Sequence, residues 1–464
     1  MSSLQRDFTK GSIFKQLLSF SMPFLAANLL QALYGAVDML VVGNFASESA
    51  EICTAQLSGV NIGGQITHVL TMMVSGLTTA GTVMLGQYLG AKQPEEGKKT
   101  IGTTLSVLGL LGIAITVIML ILAGPMLRLL QTPEDSFEYA LEYLNICLVG
   151  TVFIFGYNAI SAIQRGMGDS VHPLIFVGIA CLVNVGLDIW FVKYLGMGAA
   201  GAAWATVIAQ GISLICAALY LGRHSFLFDF KPKSFRIDME KARMMFKIGI
   251  PSSIQSVFVN LSFLIMTALV NVIGGVTASA AVGVVGKLNS FGVLPAVAMS
   301  SSVSAFAAQN IGARKLDRAK KCVWSAMGIA MVCSLAVFAV FQLFPEEIIS
   351  IFSKDTETIQ QGAVYARTFS FDYVLVPIQF CLNGLILGAG HTTYTMISSI
   401  VSSVAARIPL AWLLGKGDMG LSGVGLAAPL ATLTGILISG WFVLTGRWMR
   451  DTTGIGVDAS EEIK

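Results

Sequence analysis

The sequence predicts an all-α integral membrane protein with twelve transmembrane helices, arranged as two pseudo-twofold-related six-helix bundles around a central cleft. Two observations carry this prediction. Hydrophobic residues make up 55% of the 464 residues, charged residues only 12%, and the mean hydropathy is +0.75, which is unlike a soluble domain. Apolar runs also follow one another from Ile13 to Gly446, and about 20 such residues cross a hydrocarbon core of about 30 Å.

The apolar runs define the elements in chain order. Backbone groups inside lipid must be satisfied within the segment, so each run is predicted to be a helix. The predicted spans are 14–43, 54–85, 100–124, 138–160, 173–195, 198–221, 245–273, 278–308, 321–344, 361–389, 394–415 and 422–446.

The charges between the spans predict the orientation in the membrane. Basic residues lie at the N-terminus and in the second, sixth and eighth connections, as Arg6, Lys10 and Lys15, then Lys92, Lys98 and Lys99, then the stretch from Arg223 to Lys247, and then Arg314 to Lys321. Odd-numbered connections are acidic instead, for example at Glu134 and Asp135. By the positive-inside rule, the protein is predicted to be a multi-pass protein of the cell membrane with both termini in the cytoplasm.

The chain contains an internal repeat. A shift of 222 residues lays the stretch from Gly86 to Lys92 onto the stretch from Ala308 to Arg314, and a shift of 228 aligns Pro23 with Pro251. Because six helices are an even number, the two halves have the same orientation. We therefore predict an N-terminal six-helix lobe of residues 1–222, a cytoplasmic linker of residues 223–243 and a C-terminal six-helix lobe of residues 244–464.

Four polar residues of the N-terminal half fall inside predicted helices. Asp38 lies on the first helix, Asn184 and Asp188 are one turn apart on the fifth, and Thr206 lies on the sixth. At about 1.5 Å per residue, the three helices bring these side chains to a similar depth. Because a carboxylate at that depth is costly, it needs a partner or a function. Carboxylate, amide and hydroxyl oxygens suit Na⁺ or a shared proton, so we predict a Na⁺ or H⁺ site.

The repeat argues against a purely structural role for this group. Its counterparts in the second half are Met266, Ala406, Leu410 and Leu430. A lobe can therefore be built without these polar groups, although polar side chains do join helices in other membrane proteins. We favour ion binding over helix packing.

A polar stripe on the first helix predicts a substrate cavity. Asn28 and Gln31 lie on the face that carries Asp38, and Tyr34 precedes Asp38 by one turn. Asn158 on the fourth helix and Gln210 on the sixth complete the predicted cavity lining.

The C-terminal half has a separate charged set. Lys287, Asp372 and Arg407 reach a similar depth on three different helices. Buried charges at this depth are usually paired, so these residues can form an ion-pair network that holds the lobe together. They can also bind an anionic part of a substrate. We favour the structural interpretation.

These residues resemble the multidrug and toxic compound extrusion (MATE) transporters over nearly the whole chain. The resemblance rests on the 6+6 architecture, on Pro23, Gln31, Tyr34 and Asp38 in the first helix, on Asn184 and Asp188 in the fifth, and on Thr206 in the sixth. It implies the branch with a cation site in the N-terminal lobe, formed by Asp38, Asn184, Asp188 and Thr206, and a bend of the first helix at Pro23. Proline removes a helix hydrogen bond, which makes a hinge there reasonable.

The sequence thus predicts a secondary active transporter rather than an enzyme. No Walker A motif is present, so an ion gradient is the expected energy source. We expect antiport of an organic, cationic and amphipathic solute against Na⁺ or H⁺, with no cofactor other than the coupling ion. The expected partners are a small-molecule substrate and the lipid bilayer, not nucleic acid, and the expected state is a monomer. A lipid-linked oligosaccharide flippase is the alternative, while a channel would need a ring of like residues or a filter loop.

Overall fold

The computed structural model describes residues 6–47, 49–223, 227–450 and 454, and within these ranges it contains helices and no β-strand. The helices are α1 (Ile13–Phe45), α2 (Ala50–Gly90), α3 (Pro94–Leu129), α4 (Glu134–Gly166), α5 (Val171–Tyr194), α6 (Gly198–Arg223), α7 (Met239–Gly275), α8 (Thr277–Gly312), α9 (Leu316–Leu343), α10 (Pro345–Ser350), α11 (Thr356–Phe369), α12 (Asp372–Gly388), α13 (Thr392–Lys416) and α14 (Gly420–Leu444). Two short 3₁₀ turns follow α6 and α14, at Pro232–Ser234 and Arg447–Met449.

Eleven of these helices are long and apolar enough to cross a membrane within the described ranges. The bent pair of α11 and α12 passes the same test as one span, with a 45° bend between the two helices. Counted in this way, the described ranges contain twelve spans, and the predicted all-α membrane fold is confirmed. The bend breaks the predicted span 361–389, and the break falls just before Asp372.

The contacts divide the chain into two compact units. Within the described ranges, the first unit comprises residue 6 and the residues between 26 and 85 and between 93 and 247, and the second comprises residues 7–25, 86–92 and those from 248 onward. Helix α1 is therefore shared, because its residues up to Leu25 pack in the second unit and those from Ala26 pack in the first.

The first unit is built on close packing among α2, α4 and α6. A Cβ atom on Gly59 would lie 2.9 Å from the backbone nitrogen of Ala140, and one on Gly150 would lie 2.5 Å from a methyl group of Val207. Small residues let helix backbones approach in this way in membrane proteins. The close approach positions α6 beside α4. Helix α6 carries Thr206, one of the four residues of the predicted ion site.

The second unit holds the start of the chain in its core. Phe8 and Phe20 are each 1% exposed, and the Phe8 ring stacks on Phe306 at a centroid distance of 5.4 Å. The backbone nitrogen of Phe8 donates to Oε1 of Gln309 at 3.0 Å, and Nε of Arg318 donates to the Phe8 carbonyl at 2.8 Å. These contacts fix the residues that precede α1.

The backbone repeats with the same offset as the sequence. Lys92 and Arg314 both have φ of 57°, and Gly168 and Gly390 have φ of 84° and 83°. Positive φ is uncommon for residues other than glycine, so its recurrence at Lys92 and Arg314 reflects the same turn after α2 and α8. The internal repeat predicted from the sequence is therefore visible in the backbone.

Candidate cation site

Three helices of the first unit bring the four predicted ion-site residues together. Nδ2 of Asn184 on α5 donates to Oγ1 of Thr206 on α6 at 3.4 Å. The Thr206 hydroxyl in turn donates to Oδ2 of Asp38 on α1 at 3.2 Å. The carboxyl group of Asp188 lies close enough to that of Asp38 for the two groups to interact electrostatically. The structure thus places all four residues in one cluster.

Oxygen atoms without donors distinguish this cluster from a satisfied polar core. Asp38, Asn184 and Asp188 are 5%, 1% and 0% exposed. Within the described part of the chain, Oδ1 of Asp38, Oδ1 of Asn184 and both carboxylate oxygens of Asp188 have no hydrogen-bond partner. Buried acceptors without donors are costly. A small cation or a proton would satisfy them, which is the chemistry that this donor set fits.

The donor set suits a hard cation rather than a soft metal. Two carboxylates, an amide and a hydroxyl supply oxygen ligands, which favour Na⁺ and similar ions. Among the residues that the structure describes, no group of three or more His, Cys, Asp or Glu side chains could hold a metal ion. All seven cysteines have free thiols.

Local backbone geometry positions the acidic residue of α5. Asn184 and Asp188 are i and i+4, so both face the same side. Directly after Asp188, the last six residues of α5, Ile189–Tyr194, wind as a π-helix. Such wide turns occur often at functional sites. The sequence does not predict this feature, since the six residues are apolar or aromatic apart from Lys193.

A buried hydrophobic cluster lies on the same helices as the candidate cation site and on α4. Val42 on α1, Cys147 on α4, Val192 on α5 and Ala202 on α6 belong to one buried hydrophobic cluster, and each is at most 3% exposed. Water is excluded from such packing, and charge interactions are stronger there than in solvent. The electrostatic interaction between Asp38 and a bound cation would therefore be strong.

Gln56 is a positioning residue that sequence analysis missed. Its Oε1 accepts a hydrogen bond from the backbone nitrogen of Ala199 at 2.7 Å, which fastens the start of α6 to α2. Gly198 has φ of 55°, and a Cβ atom there would lie 1.9 Å from the Gln56 side chain. The signal available in the sequence was that the repeat aligns Gly198 with Gly420, and Gly420 also has a positive φ, of 50°.

The predicted substrate-cavity residues all belong to the first unit. Gln31 is exposed, whereas Asn28, Asn158 and Gln210 are half-buried. Nδ2 of Asn158 donates to the carbonyl of Ile154 in its own helix at 2.8 Å. The side chain of Tyr34 lies outside the described residues. A cavity formed by this set stays a prediction.

The charged set of the second unit is not joined as predicted. Asp372 is buried, Arg407 is half-buried and Lys287 is exposed. None of the ion pairs within 4.0 Å among the described residues connects these three side chains. The Arg407 guanidinium instead lies 4.9 Å from the centre of the Phe263 ring, where a cation–π contact stabilises it. The structure therefore shows no ion-pair network here, although Arg407 is near enough for its charge to act on Asp372.

Pro23 lies inside α1, two residues before the boundary between the two units. The unbroken helix runs from Ile13 to Phe45, and the change of unit falls between Leu25 and Ala26. Proline lacks the backbone N–H that would continue the helix hydrogen bonds. The position fits the predicted hinge.

Comparison with known proteins identifies the family. The MatE family model matches residues 23–190 and 251–413, together more than half of the chain. The chain belongs to the MatE family. Both matches begin at the prolines that the repeat aligned, Pro23 and Pro251. The MATE chain is thus a membrane transporter in which each half carries one copy of the family unit.

Relatives and solved structures support the assignment over the full length. The MATE chain is 29% identical to the probable multidrug resistance protein YpnP of Bacillus subtilis, with 95% of this chain and 97% of that protein covered. It is 28% identical to YoeA of the same organism, also named a probable multidrug resistance protein, with 93% of each covered. An outward-facing multidrug resistance MATE transporter of the MOP superfamily shares the fold at a TM-score of 0.89, with 20% identity and coverage of 97% and 99%.

Proposed function

We propose that this MATE transporter exports organic solutes, cationic and amphipathic, in exchange for Na⁺ or H⁺ by alternating access. One observation carries the proposal: Asp38 and Asp188 are buried beside each other, and three of their four carboxylate oxygens have no donor among the described residues. Two carboxylates in such a position repel each other unless a cation or a proton lies between them. The cluster is therefore a candidate for the coupling site, as in the branch with an N-lobe cation site.

Coupling follows from the helix that carries Asp38. Helix α1 also carries Asn28 and Gln31 of the predicted cavity, and it contains Pro23. When a cation neutralises the pair, the arrangement that holds α1 against α5 and α6 gains stability relative to one in which α1 moves away. An ion shifts a conformational equilibrium only by its differential affinity for the two states. Asp38 supplies that difference, because its contacts depend on where α1 lies.

The nature of the substrate rests on the relatives and on composition. YpnP and YoeA are both named as probable multidrug resistance proteins, which supports organic solutes of several kinds. The polar stripe of α1 that carries Asn28 and Gln31 contains one carboxylate, that of Asp38. We further propose that the transporter acts as a monomer in the cell membrane, with both termini in the cytoplasm and no cofactor besides the coupling ion.

Transport into vesicles with each gradient imposed separately tests the proposal. The purified transporter is reconstituted, a fluorescent organic cation is supplied, and either a Na⁺ or a proton gradient is applied alone. We expect one of the two gradients to drive uptake in the wild type, and Asp38→Asn to abolish that response while the protein still folds and elutes as the wild type does.

Asp372→Asn is the matched control, since Asp372 is also a buried carboxylate but belongs to the second unit. We expect it to retain the gradient response. A response lost in Asp372→Asn and kept in Asp38→Asn would move the coupling site to the second unit. Substrate movement that ignored both gradients would contradict antiport.

A further inference from the structure

An open groove of about 800 Å³ lies in the first unit, between the start of α3 and the connection that precedes α7. Lys98 and Lys99 of α3 line one part, Lys233 and Arg236 of the connection line another, and Leu227 and Ile237 add apolar surface. The proposed transport cycle uses none of these residues. Because the groove combines basic and apolar side chains, a ligand that fits it would carry both an anionic group and an apolar part.

Hydrogen bonds hold the connection against α3, so the groove is preformed. Oγ of Ser106 donates to the carbonyl of Phe235 at 2.9 Å. The backbone nitrogen of Asp238 donates to Oγ1 of Thr103 at 3.0 Å. A Cβ atom on Gly102 would lie 2.2 Å from the carbonyl oxygen of Ser234. A ligand would therefore meet fixed walls and would not have to order the connection.

An aromatic cluster forms the base of the connection. Phe228 is 4% exposed, and its ring meets those of Phe230 and Phe235 edge-on at centroid distances of 5.2 Å and 5.4 Å. Edge-to-face packing of this kind stabilises a fixed arrangement. The basic side chains of the connection are thus mounted on a rigid base.

Two of the four basic residues have internal partners. Nζ of Lys98 lies 2.8 Å from Glu95, and Nζ of Lys99 lies 2.7 Å from Glu96. Lys233 and Arg236 are exposed, and the part of the chain that the structure describes contains no ion pair to either. These two cations remain available for an external anion.

The two acidic residues of the groove are already engaged. Oδ1 of Asp238 accepts hydrogen bonds from the backbone nitrogens of Glu240 and Lys241 at 3.0 Å and 3.2 Å. The carboxylate of Asp229 accepts a hydrogen bond from the Ser234 hydroxyl and lies 3.5 Å from Nζ of Lys231. Their contacts stabilise the connection, and among the described residues neither acid forms an ion pair with Lys233 or Arg236.

Exposed apolar side chains alternate with Arg236 along the connection. Phe235, Ile237 and Met239 are 39%, 40% and 79% exposed. Basic residues beside exposed apolar residues are typical of a membrane interface. The position at the start of α3, a membrane-spanning helix, places this surface where lipid headgroups lie. By the positive-inside rule it faces the cytoplasmic leaflet, which carries anionic lipids.

We propose that this groove binds the headgroup of an anionic phospholipid, with the phosphate on Lys233 and Arg236 and an acyl chain against Ile237 and its exposed neighbours. The planar guanidinium of Arg236 matches two phosphate oxygens. A soluble phosphate would use the two cations but not the apolar side chains. The apolar surface is therefore what selects a lipid over a free anion.

Lipid retention by the purified full chain tests the proposal. The protein in detergent is incubated with an equimolar mixture of phosphatidylglycerol and phosphatidylcholine, passed through a gel-filtration column and analysed by native mass spectrometry. We expect phosphatidylglycerol to be retained in preference. The double variant Lys233→Gln/Arg236→Gln should lower that retention by about tenfold, because each basic residue contributes to binding an anionic surface.

The second repeat offers a matched control. Lys320 and Lys321 occupy the positions on α9 that Lys98 and Lys99 occupy on α3, and both are exposed. The double variant Lys320→Gln/Lys321→Gln removes the same charge from the chain and should retain the lipid like the wild type. Equal losses in both double variants, or equal retention of the two lipids, would overturn the proposal.

Two further measurements separate the lipid from other anions. Glycerol 1-phosphate, which carries the phosphate without acyl chains, should not displace the lipid at equal concentration, and Ile237→Ser should weaken lipid retention while leaving the protein folded. Displacement by glycerol 1-phosphate would assign the groove to a soluble phosphate. Displacement by a short RNA but not by glycerol 1-phosphate would assign it to a polyanion, and either result would reject the lipid.

Discussion

The hydroxyl of Thr206 lies 3.2 Å from Oδ2 of Asp38 and donates its hydrogen bond to that oxygen. The direction is fixed, because the Asn184 amide donates to the same hydroxyl from the other side at 3.4 Å. Oδ2 of Asp38 is thus held by α6, whereas Oδ1 has no donor among the described residues. The contact orients one carboxylate oxygen and leaves the other for an ion.

Replacing Thr206 tests this orientation. Thr206→Val keeps the shape of the side chain but removes the donor, so we expect the affinity for the coupling cation to fall about tenfold, since a hydrogen bond to a charged group contributes more than a neutral one. Thr206→Ser keeps the hydroxyl and should bind the cation nearly as the wild type does. Cation-dependent thermal stabilisation of the purified protein measures both variants. Equal cation-dependent stabilisation of Thr206→Val and Thr206→Ser would show that the hydroxyl has no role in cation binding.

Neutralising Asp188 should stabilise the protein when no cation is bound. Both oxygens of Asp188 are buried with no donor among the described residues, and a buried carboxylate costs about 2.5 kcal/mol or more within a membrane. In buffer without Na⁺, at a pH high enough to remove the proton from the Asp38 and Asp188 pair, Asp188→Asn should therefore unfold at a higher temperature than the wild type. Added Na⁺ should raise the unfolding temperature of the wild type and leave that of Asp188→Asn unchanged if Na⁺ is the coupling ion.

The equivalent Asp to Asn substitution in the second unit, Asp372→Asn, should have the opposite effect on the unfolding temperature. Asp372 is buried with the charge of Arg407 acting on it, and Nε of Arg407 has no hydrogen-bond partner in the described ranges. Asp372→Asn would leave Arg407 without a nearby compensating charge, which is destabilising. A lower unfolding temperature for Asp372→Asn, measured beside Asp188→Asn, is the expected result. A higher unfolding temperature in both variants would show that the burial of the carboxylate alone determines the change in stability.

The sequence was sufficient for the spans and for the candidate cluster. Hydrophobic runs of bilayer length specify helices whatever their neighbours, since the backbone has no alternative in lipid. The polar residues at Asp38, Asn184, Asp188 and Thr206 were visible because almost everything around them is apolar. Their meeting could be predicted from their similar depth together with the side of the helix that they occupy, which the polar stripe of the first helix and the one-turn spacing of Asn184 and Asp188 indicate.

Features that depend on packing could not be predicted in this way. The π-helical segments Ile189–Tyr194 and Val401–Ala406 directly follow Asp188 and directly precede Arg407, and neither has a composition that marks it. Matched depth also failed for Lys287, which is exposed, because depth does not fix the side of the helix that a residue occupies. The placement of Phe8 in the core of the second unit depends on partners about 300 residues away, which no local pattern shows.

Pro23→Ala tests the hinge in α1. Alanine restores the backbone N–H that proline lacks and favours a continuous helix. We expect solute export to slow while cation-dependent stabilisation stays at the wild-type level, because Asp38 and Asp188 are unchanged. Pro251→Ala, at the repeat counterpart in α7, is the control and should slow export less, since its half has Met266 in place of Asp38. Loss of cation-dependent stabilisation in Pro23→Ala would show that the proline shapes the ion site instead.

Gly90→Ala tests the repeated turn after α2. A Cβ atom on Gly90 would lie 2.0 Å from the carbonyl oxygen of Gln309, and one on Gly312 would lie 2.0 Å from that of Gln87. Backbone atoms on both sides cannot move as a flexible side chain can, so we expect Gly90→Ala to cost about 1 to 3 kcal/mol. Gly109→Ala in α3 is the control, because no atom lies within 4 Å of its added Cβ. Thermal unfolding should show a lower midpoint for Gly90→Ala and an unchanged one for Gly109→Ala, and equal midpoints would mean that the two stretches do not pack as closely as their backbones indicate.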